Sequence, residues 1–464
     1  MINSHEKVII VGAGWAGLSA AVTLAQHGVK VILLEAAPQA GGRARNIAFN
    51  GNASFSDQCY LDNGQHLLLG AYQQTLALLQ SIGVSENSVF TRKPLRLWIE
   101  SSNAGIDLKL NNLAYPLNLM LAFITAKGLS RGEKSAALRF YRALTILQFE
   151  IKTDISVQEL LLEYRQPASL ITHLWEPLTQ AALSTPIAEA SAQVFLTVLK
   201  NTFAQKKSHS NFLFPKTDLS NLFPNPALAF LLRQQGAGAI HYHQRVQALD
   251  IDLDTGNCRG VQTKKQYWEA ADLILATPPE KTAKLLLPHL DKYPELSDSL
   301  KKLQKFQYQP ITTVYLEFKT PPNLPYPLLG LAGQTGHWVF DRTTVSQPNI
   351  ISVVITGNGS HLELSQQLLV SILYQELKQK FPGLGQIQNF KIITEKKAAF
   401  ACQVGIEAQR PSAQLPIPGI TLAGDYIQPG YPASLEAAVQ SGIHAAHLIL
   451  AKKNLATTLA RIST

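Results

Sequence analysis

The chain opens on Val8-Ile9-Ile10-Val11, a short β-branched run of the kind that fills a central parallel strand. Gly12-Ala13-Gly14-Trp15-Ala16-Gly17 follows, then a helical periodicity over 18–27 with Gly28 placed to end it. A second apolar run over 30–34 closes on Glu35. Further on, a polar turn at 62–66 leads into an amphipathic pattern that predicts a helix over 67–82. The stretch 91–224 reads as largely helical, with segments at 113–129, 135–150, 157–164 and 192–203. From 245 to 277 short alternating runs and the Asp254-Thr255-Gly256-Asn257 turn predict a β-meander, followed by a buried strand at 272–277. Residues 286–399 offer strands at 311–318 and 350–356 and a helix over 362–381, and the end of the chain offers a strand at 420–425 and a helix over 435–450.

The opening pattern is that of a dinucleotide fold. A G-x-G-x-x-G between strand and helix, with an acid 18 residues beyond Gly17 at Glu35, has the spacing of a dinucleotide fingerprint. Gly12 permits the tight turn, Gly14 admits a pyrophosphate, and Gly17 lets helix and strand approach. The helix N-terminus offers unpaired N–H groups to phosphate, and Glu35 can accept from both ribose hydroxyls. The fold class is therefore α/β with a Rossmann-like domain. Its segments are 1–90, 225–285 and 400–464, and the inserts 91–224 and 286–399 build an α+β substrate domain.

Composition narrows the setting. The 464 residues are 46% apolar and 16% charged, a balance that excludes a disordered chain and gives room for two or three domains. Cys59, Cys258 and Cys402 lie too far apart for a C-x-x-C pair, so neither a disulfide framework nor a zinc site is expected, and no metal. The formal charge of +9 is dispersed along the chain, and no nucleic-acid recognition module is visible. The longest apolar stretch, 113–125, contains Pro116 and Asn118 and is too short to span a bilayer. Lys7 before Val8 superficially resembles an export signal, but the run meets glycines after four residues and reads as a strand. A cytoplasmic protein is the expectation.

Three further segments share a resemblance. The block Leu34-Glu35-Ala36-Ala37-Pro38-Gln39-Ala40-Gly41-Gly42-Arg43-Ala44 resembles the extended fingerprint of the monoamine oxidase and phytoene desaturase flavoproteins. Asp62-Asn63-Gly64-Gln65-His66-Leu67-Leu68-Leu69-Gly70-Ala71-Tyr72 and Gly430-Tyr431-Pro432-Ala433-Ser434-Leu435-Glu436-Ala437-Ala438-Val439-Gln440-Ser441-Gly442 are similar to segments of the squalene-associated FAD-dependent desaturases, the hydroxysqualene dehydroxylases. The resemblance spans almost the full length. It departs at Ala437, where many members of the superfamily have glycine, and in the loop Tyr426-Ile427-Gln428-Pro429, which lacks a tryptophan.

The resemblance implies noncovalent FAD. Arg43 would approach the pyrophosphate, and Asn63, Gly64, Gln65 and His66 would run beside the flavin. Val246 would offer backbone bonds to adenine, Gly424 and Asp425 would hold a ribityl hydroxyl, and the helix N-terminus at Ser434-Leu435 would face the pyrimidine oxygen. It also implies reduction of hydroxysqualene to squalene in squalene and hopanoid biosynthesis, with an unidentified electron donor for FAD. His66, Asp62 and Tyr431 are then candidates for the proton donor. A carotenoid desaturase, an amine oxidase or a flavin-free prenyl-lipid binder are the alternatives, although no aromatic cage or anionic dyad that would demand an amine is visible. Plain structural roles stand beside each assignment: a Gly-Gly turn, a polar turn at 62–66, an ordinary β-meander, a closing strand-loop-helix, and a packed helical core for Leu117, Leu119, Met120, Phe123, Leu144, Leu147 and Phe149. A long isoprenoid substrate and the basic charge together predict peripheral contact with the inner face of a membrane through 113–129.

Overall fold

The computed structural model describes residues 7–48, 60–101, 105–111, 113–252, 254–427 and 430–462. Its organising element is a five-stranded parallel sheet in the spatial order Ile240–His241, Lys30–Leu34, Lys7–Val11, Asp272–Leu275, Ile420–Leu422. Lys7–Val11 lies at its centre, pairing Val8 to Val11 with Asp272 to Leu275 on one side and Lys7 to Val11 with Lys30 to Leu34 on the other. Both faces of this strand are covered, which is why its sequence is apolar without alternation. The meander appears as Val246–Ile251, Cys258–Thr263 and Tyr267–Glu269, paired antiparallel.

A second, seven-stranded sheet forms a wall on the other side of the molecule. Its order is Ile387–Phe400, Tyr308–Phe318, Ile350–Thr356, Trp338–Asp341, Leu328–Leu331, Arg96–Glu100, Ile106–Lys109. The last two strands come from the stretch read as largely helical, and Leu328–Leu331 joins them in parallel to the rest. The main helices of that stretch are Leu117–Thr125, Arg131–Ile146, Val157–Glu163, Glu176–Leu183 and Ala192–Phe203, with shorter turns between 168 and 175.

Several boundaries differ from the sequence reading for identifiable reasons. The first helix begins at Trp15, three residues early, so Gly17 sits in its first turn. A Cβ at Gly17 would lie 1.9 Å from the Gly12 carbonyl oxygen, which makes this the closest approach of helix and turn. The amphipathic pattern over 67–82 is a helix only over Gln73–Ser81. Leu68 and Leu69 instead pair with Leu213 and Phe212, because both elements bury apolar side chains and periodicity over a few residues cannot separate them. The 113–129 segment is helical only from Leu117, after Pro116, whose ring bars an earlier start. The closing helix starts at Leu435 as read and runs on to Ile462.

A buried polar network ties the 60–66 segment to the sheet wall. Arg342, almost fully buried, donates from Nε to Gln347 Oε1 and from Nη1 to Gln65 Oε1, each at 2.6 Å. Its guanidinium carbon lies 5.0 Å from the centre of the Tyr315 ring, and Tyr315 donates to the Asp62 carbonyl. The Asp62 carboxylate sits 3.9 Å from Arg342 and accepts from Leu219 N at 2.8 Å. Burial outweighs Arg342 and that N–H, and pushes the Asp62 carboxyl up to about 6.

A carboxyl whose folded value is raised binds its proton more tightly when folded. Its contribution to stability is complete below the ordinary carboxylate value and is lost as pH rises through the folded one. Asp62→Asn removes the titration and keeps an acceptor for Leu219. Between about pH 4 and the folded value of about 6, the wild-type unfolding free energy should fall by on the order of 2–3 kcal/mol relative to this variant. Denaturant titrations across that range measure the difference, and parallel curves would contradict it.

Candidate active site

Three backbone segments converge at the carboxyl edge of the parallel sheet. Gly12 N donates to Leu34 O at 2.8 Å, Ala276 N to Val11 O at 2.9 Å and Ala423 N to Leu275 O at 3.0 Å, so every strand of this sheet from 30–34 to 420–422 delivers its following loop to one place. Gly41 N donates to Ala13 O at 2.8 Å, and Trp15 Nε1 to Ala44 O at 3.0 Å, which fold the Gly-Gly-Arg loop back over the first turn. Both loop glycines need left-handed backbone, φ +109° at Gly41 and +61° at Gly42.

One continuous cavity of about 980 Å³ starts at this edge. Of the residues assigned to cofactor binding from sequence, all but Ala13 and Gly17 line it. Those two act from behind: Ala13 holds Gly41, and Gly17 sets the helix on the turn. Asp62, proposed from sequence as a proton donor, does not line the cavity and is committed to Leu219 and Arg342.

Gly14 tests whether these residues suit a dinucleotide. Its φ of −72° is open to any residue. A Cβ built on it meets no atom nearer than Gly42 Cα at 3.9 Å. Nothing in the protein therefore requires glycine at 14, whereas a pyrophosphate approaching the helix N-terminus would. The residues fit the group.

Glu35 is anchored more firmly than its sequence position indicates. Its carboxylate accepts from Ala13 N and Ala37 N, each at 2.7 Å, so it shapes the fingerprint loop as well as facing the cavity. Each oxygen keeps a second acceptor position for a ribose hydroxyl. Gln244 N donates to Glu35 O, which brings Val246 alongside. Arg43 and Asp425 bind each other, with Nη2 2.8 Å from both carboxylate oxygens, and Arg43 also donates to Ala398 O at 2.9 Å. This pair joins the start and end of the chain across the cavity and leaves further donors and acceptors for phosphate and ribityl oxygen.

Ser434 caps the closing helix, accepting from Ala437 N at 3.2 Å, and the helix start at Ser434-Leu435 faces the cavity. Ala437 is buried and does not line the cavity, so its methyl leaves the site open. Tyr426 fills the wall where the loop departs from the resembled pattern, donating to Thr277 O at 2.9 Å; Gln428 and Pro429 lie outside the described residues. His66 Nδ1 lies 2.8 Å from Gly64 O, so the proton sits on Nδ1 and Nε2 is an acceptor. Burial, and then Arg43, push the imidazole below its ordinary value and keep it neutral. Tyr72 and Tyr431 also line the cavity, and burial and the Glu436 carboxylate hold both phenols above their ordinary value. Glu395, Thr277 and Tyr72 also line the cavity, as do Arg245, Lys281, Lys284 and Asn201, and none of these was assigned from sequence, although Tyr72 closes one of the resembled segments.

Away from the sheet edge the cavity turns apolar, between Leu95, Leu97, Trp338, Phe340 and Val354 of the wall and Leu178, Val198, Leu199 and Phe203 of the helices. Gly14→Ala should leave the melting temperature of the cofactor-free protein unchanged, because the methyl meets only Gly42 Cα, at an ordinary contact distance of 3.9 Å. It should lower retained flavin, read from absorbance near 450 nm (roughly), by about tenfold or more. Full retention would show that the pyrophosphate lies elsewhere.

The profile of the flavin containing amine oxidoreductases matches residues 15–450. A hydroxysqualene dehydroxylase of Rhodopseudomonas palustris is 28% identical over 96% of this chain and 99% of its own length. One from Zymomonas mobilis is 26% identical over 95% of this chain and 98% of its own. Among solved structures, cyclohexylamine oxidase from Brevibacterium oxydans superposes with a TM-score of 0.70 at 15% identity, covering 97% of this chain and all of that one (100%). The chain belongs to the flavin containing amine oxidoreductase family, an FAD-dependent oxidoreductase whose fingerprint residues line the cavity described above.

Proposed function

We propose that this protein reduces hydroxysqualene to squalene. The observation that carries the reading is the apolar length of the cavity beyond the fingerprint, walled by aliphatic and aromatic side chains from both the sheet and the helices. Such a wall suits a long isoprenoid and excludes water from a carbon that becomes cationic. Full-length similarity to two hydroxysqualene dehydroxylases supports the same substrate.

In the reaction the allylic C–O bond breaks, the oxygen takes a proton and leaves as water, and a hydride fills the carbon. Bound FAD in its reduced form supplies the hydride, and a separate reductant restores it. The chain must supply the proton at the leaving oxygen. Asp62 is outside the cavity, and His66 is neutral with its only N–H given to Gly64. Tyr431 and Tyr72 both keep their protons and line the cavity; of the two, Tyr431 is the candidate from the resembled motif and is taken as the donor. We take FAD to be held without a covalent bond; Cys258 and Cys402 are buried and line no part of the cavity.

Anaerobic incubation of the reduced enzyme with hydroxysqualene should yield squalene and oxidised flavin in equal amounts. Product from phytoene or from an amine, with none from hydroxysqualene, would replace the reading with a desaturase or an amine oxidase. Tyr431→Phe should retain flavin and lower turnover by about 10²–10⁴-fold. Acid precipitation should release the yellow colour into solution; colour kept in the pellet would show a covalent link.

A further inference from the structure

The helix Leu117–Thr125 is apolar on both sides. Leu119, Ala122 and Phe123 face inward and are buried. Leu117 is 55% exposed, Met120 41%, Leu121 36% and Ile124 53%, and these follow the i, i+3, i+4, i+7 spacing of a single helical face. The next helix adds Ile146, 72% exposed, at its C-terminus. A helix that is hydrophobic all round is covered on both sides in its working state.

Charge identifies what covers it. Lys127, Arg131, Arg139 and Arg142 are exposed on the same two helices and the turn between them. Of the acids nearby, Glu133 caps the Arg131–Ile146 helix, Glu150 pairs with Lys200, and Asp107 pairs with Arg96 and also faces Lys127, so the positive charge of this surface rests mainly on Arg131, Arg139 and Arg142. Among the described residues no helix can cross a membrane, so a cationic rim around an apolar helix face describes a surface that lies on anionic lipid. A second copy of the chain fits less well, since a two-fold contact through this face would set arginines against arginines.

Behind the same helix lies a small apolar cavity of about 40 Å³. Leu119 and Phe123 of the helix line it, and it shares Leu97, Leu178, Leu199 and Phe203 with the large cavity. These four side chains are therefore the partition between the space under the helix and the flavin site. We propose that the Leu117–Thr125 helix rests in the headgroup layer of an anionic bilayer and is the portal through which an isoprenoid chain passes from lipid, through the small cavity and past this partition, into the site. The nature of the guest rests on the function proposed above, whereas the lipid-facing surface does not.

The test uses the full-length flavoprotein with vesicles of phosphatidylglycerol and phosphatidylethanolamine, and with phosphatidylcholine alone. Wild type should sediment with the anionic vesicles at low salt, less so at high salt, and little with the neutral ones. Leu117→Ser with Ile124→Ser, both outside the cavity linings, should keep flavin content and melting temperature and lose about tenfold or more of the binding. The same variant should raise KM for vesicle-borne hydroxysqualene by about tenfold and leave turnover of detergent-dispersed substrate unchanged. Absence of sedimentation at low salt, equal binding by the variant, or a concentration-dependent dimer that the variant abolishes would each overturn the portal. Squalene formed from dispersed substrate without vesicle binding would overturn the portal alone. Vesicle binding without squalene would uphold the lipid-facing surface and overturn the assigned substrate.

Discussion

Everything the site offers depends on the carboxyl edge of one buried strand, Lys7–Val11. Its neighbours on both sides run parallel to it, so the loops that follow them emerge on the same side and bring Gly12, Glu35, Thr277 and Asp425 together. In an open parallel sheet this edge is where ligands bind, because helix N-termini and unpaired backbone groups gather there. The Arg43–Asp425 pair then closes the arrangement with a contact between residues 382 positions apart. Neither side chain has a comparable partner if the strand order changes.

The cofactor half of the site was legible because its chemistry is local. Gly12, Gly14, Gly17 and Glu35 stand at spacings that one βαβ unit imposes, and the meander and the final strand carry their own turn signals. What escaped was decided by distant neighbours. Leu68 and Leu69 extend as a strand only because Phe212 and Leu213 arrive beside them. Arg96–Glu100 and Ile106–Lys109 are strands in a region of helices because Gly330 and Leu331 pair with Ile99 and Glu100. Asp62 illustrates the converse: its place in a resembled motif put it among the reacting groups, and a single N–H from Leu219 turned it away.

The substrate half has little signature of its own because its work is negative. Over most of its length it presents no charge and leaves room. Leu, Val and Phe that line a cavity are the same residue types that fill a core, and only the shape of the space between sheet wall and helices separates the two roles. Most of the polar groups that reach the cavity come from the cofactor side, with Glu395, Asn201 and Thr202 among the exceptions from the inserts, so the direction from His66 and Tyr431 toward Leu199 and Phe203 runs largely from chemistry to shape.

The strand Ile420–Leu422 has a consequence for how the protein is made. It is the last strand of the parallel sheet, and until it emerges Asp272–Leu275 has no partner on that side and Arg43 has no carboxylate. At a synthesis rate of about 5–20 residues per second, the nascent chain spends roughly 7–30 seconds with that sheet edge open, and roughly 20–75 seconds pass between Arg43 and Asp425. The cradle is therefore complete only once Asp425 has emerged, and until then the Asp272–Leu275 edge is an unpaired strand edge of the kind that invites wrong pairing.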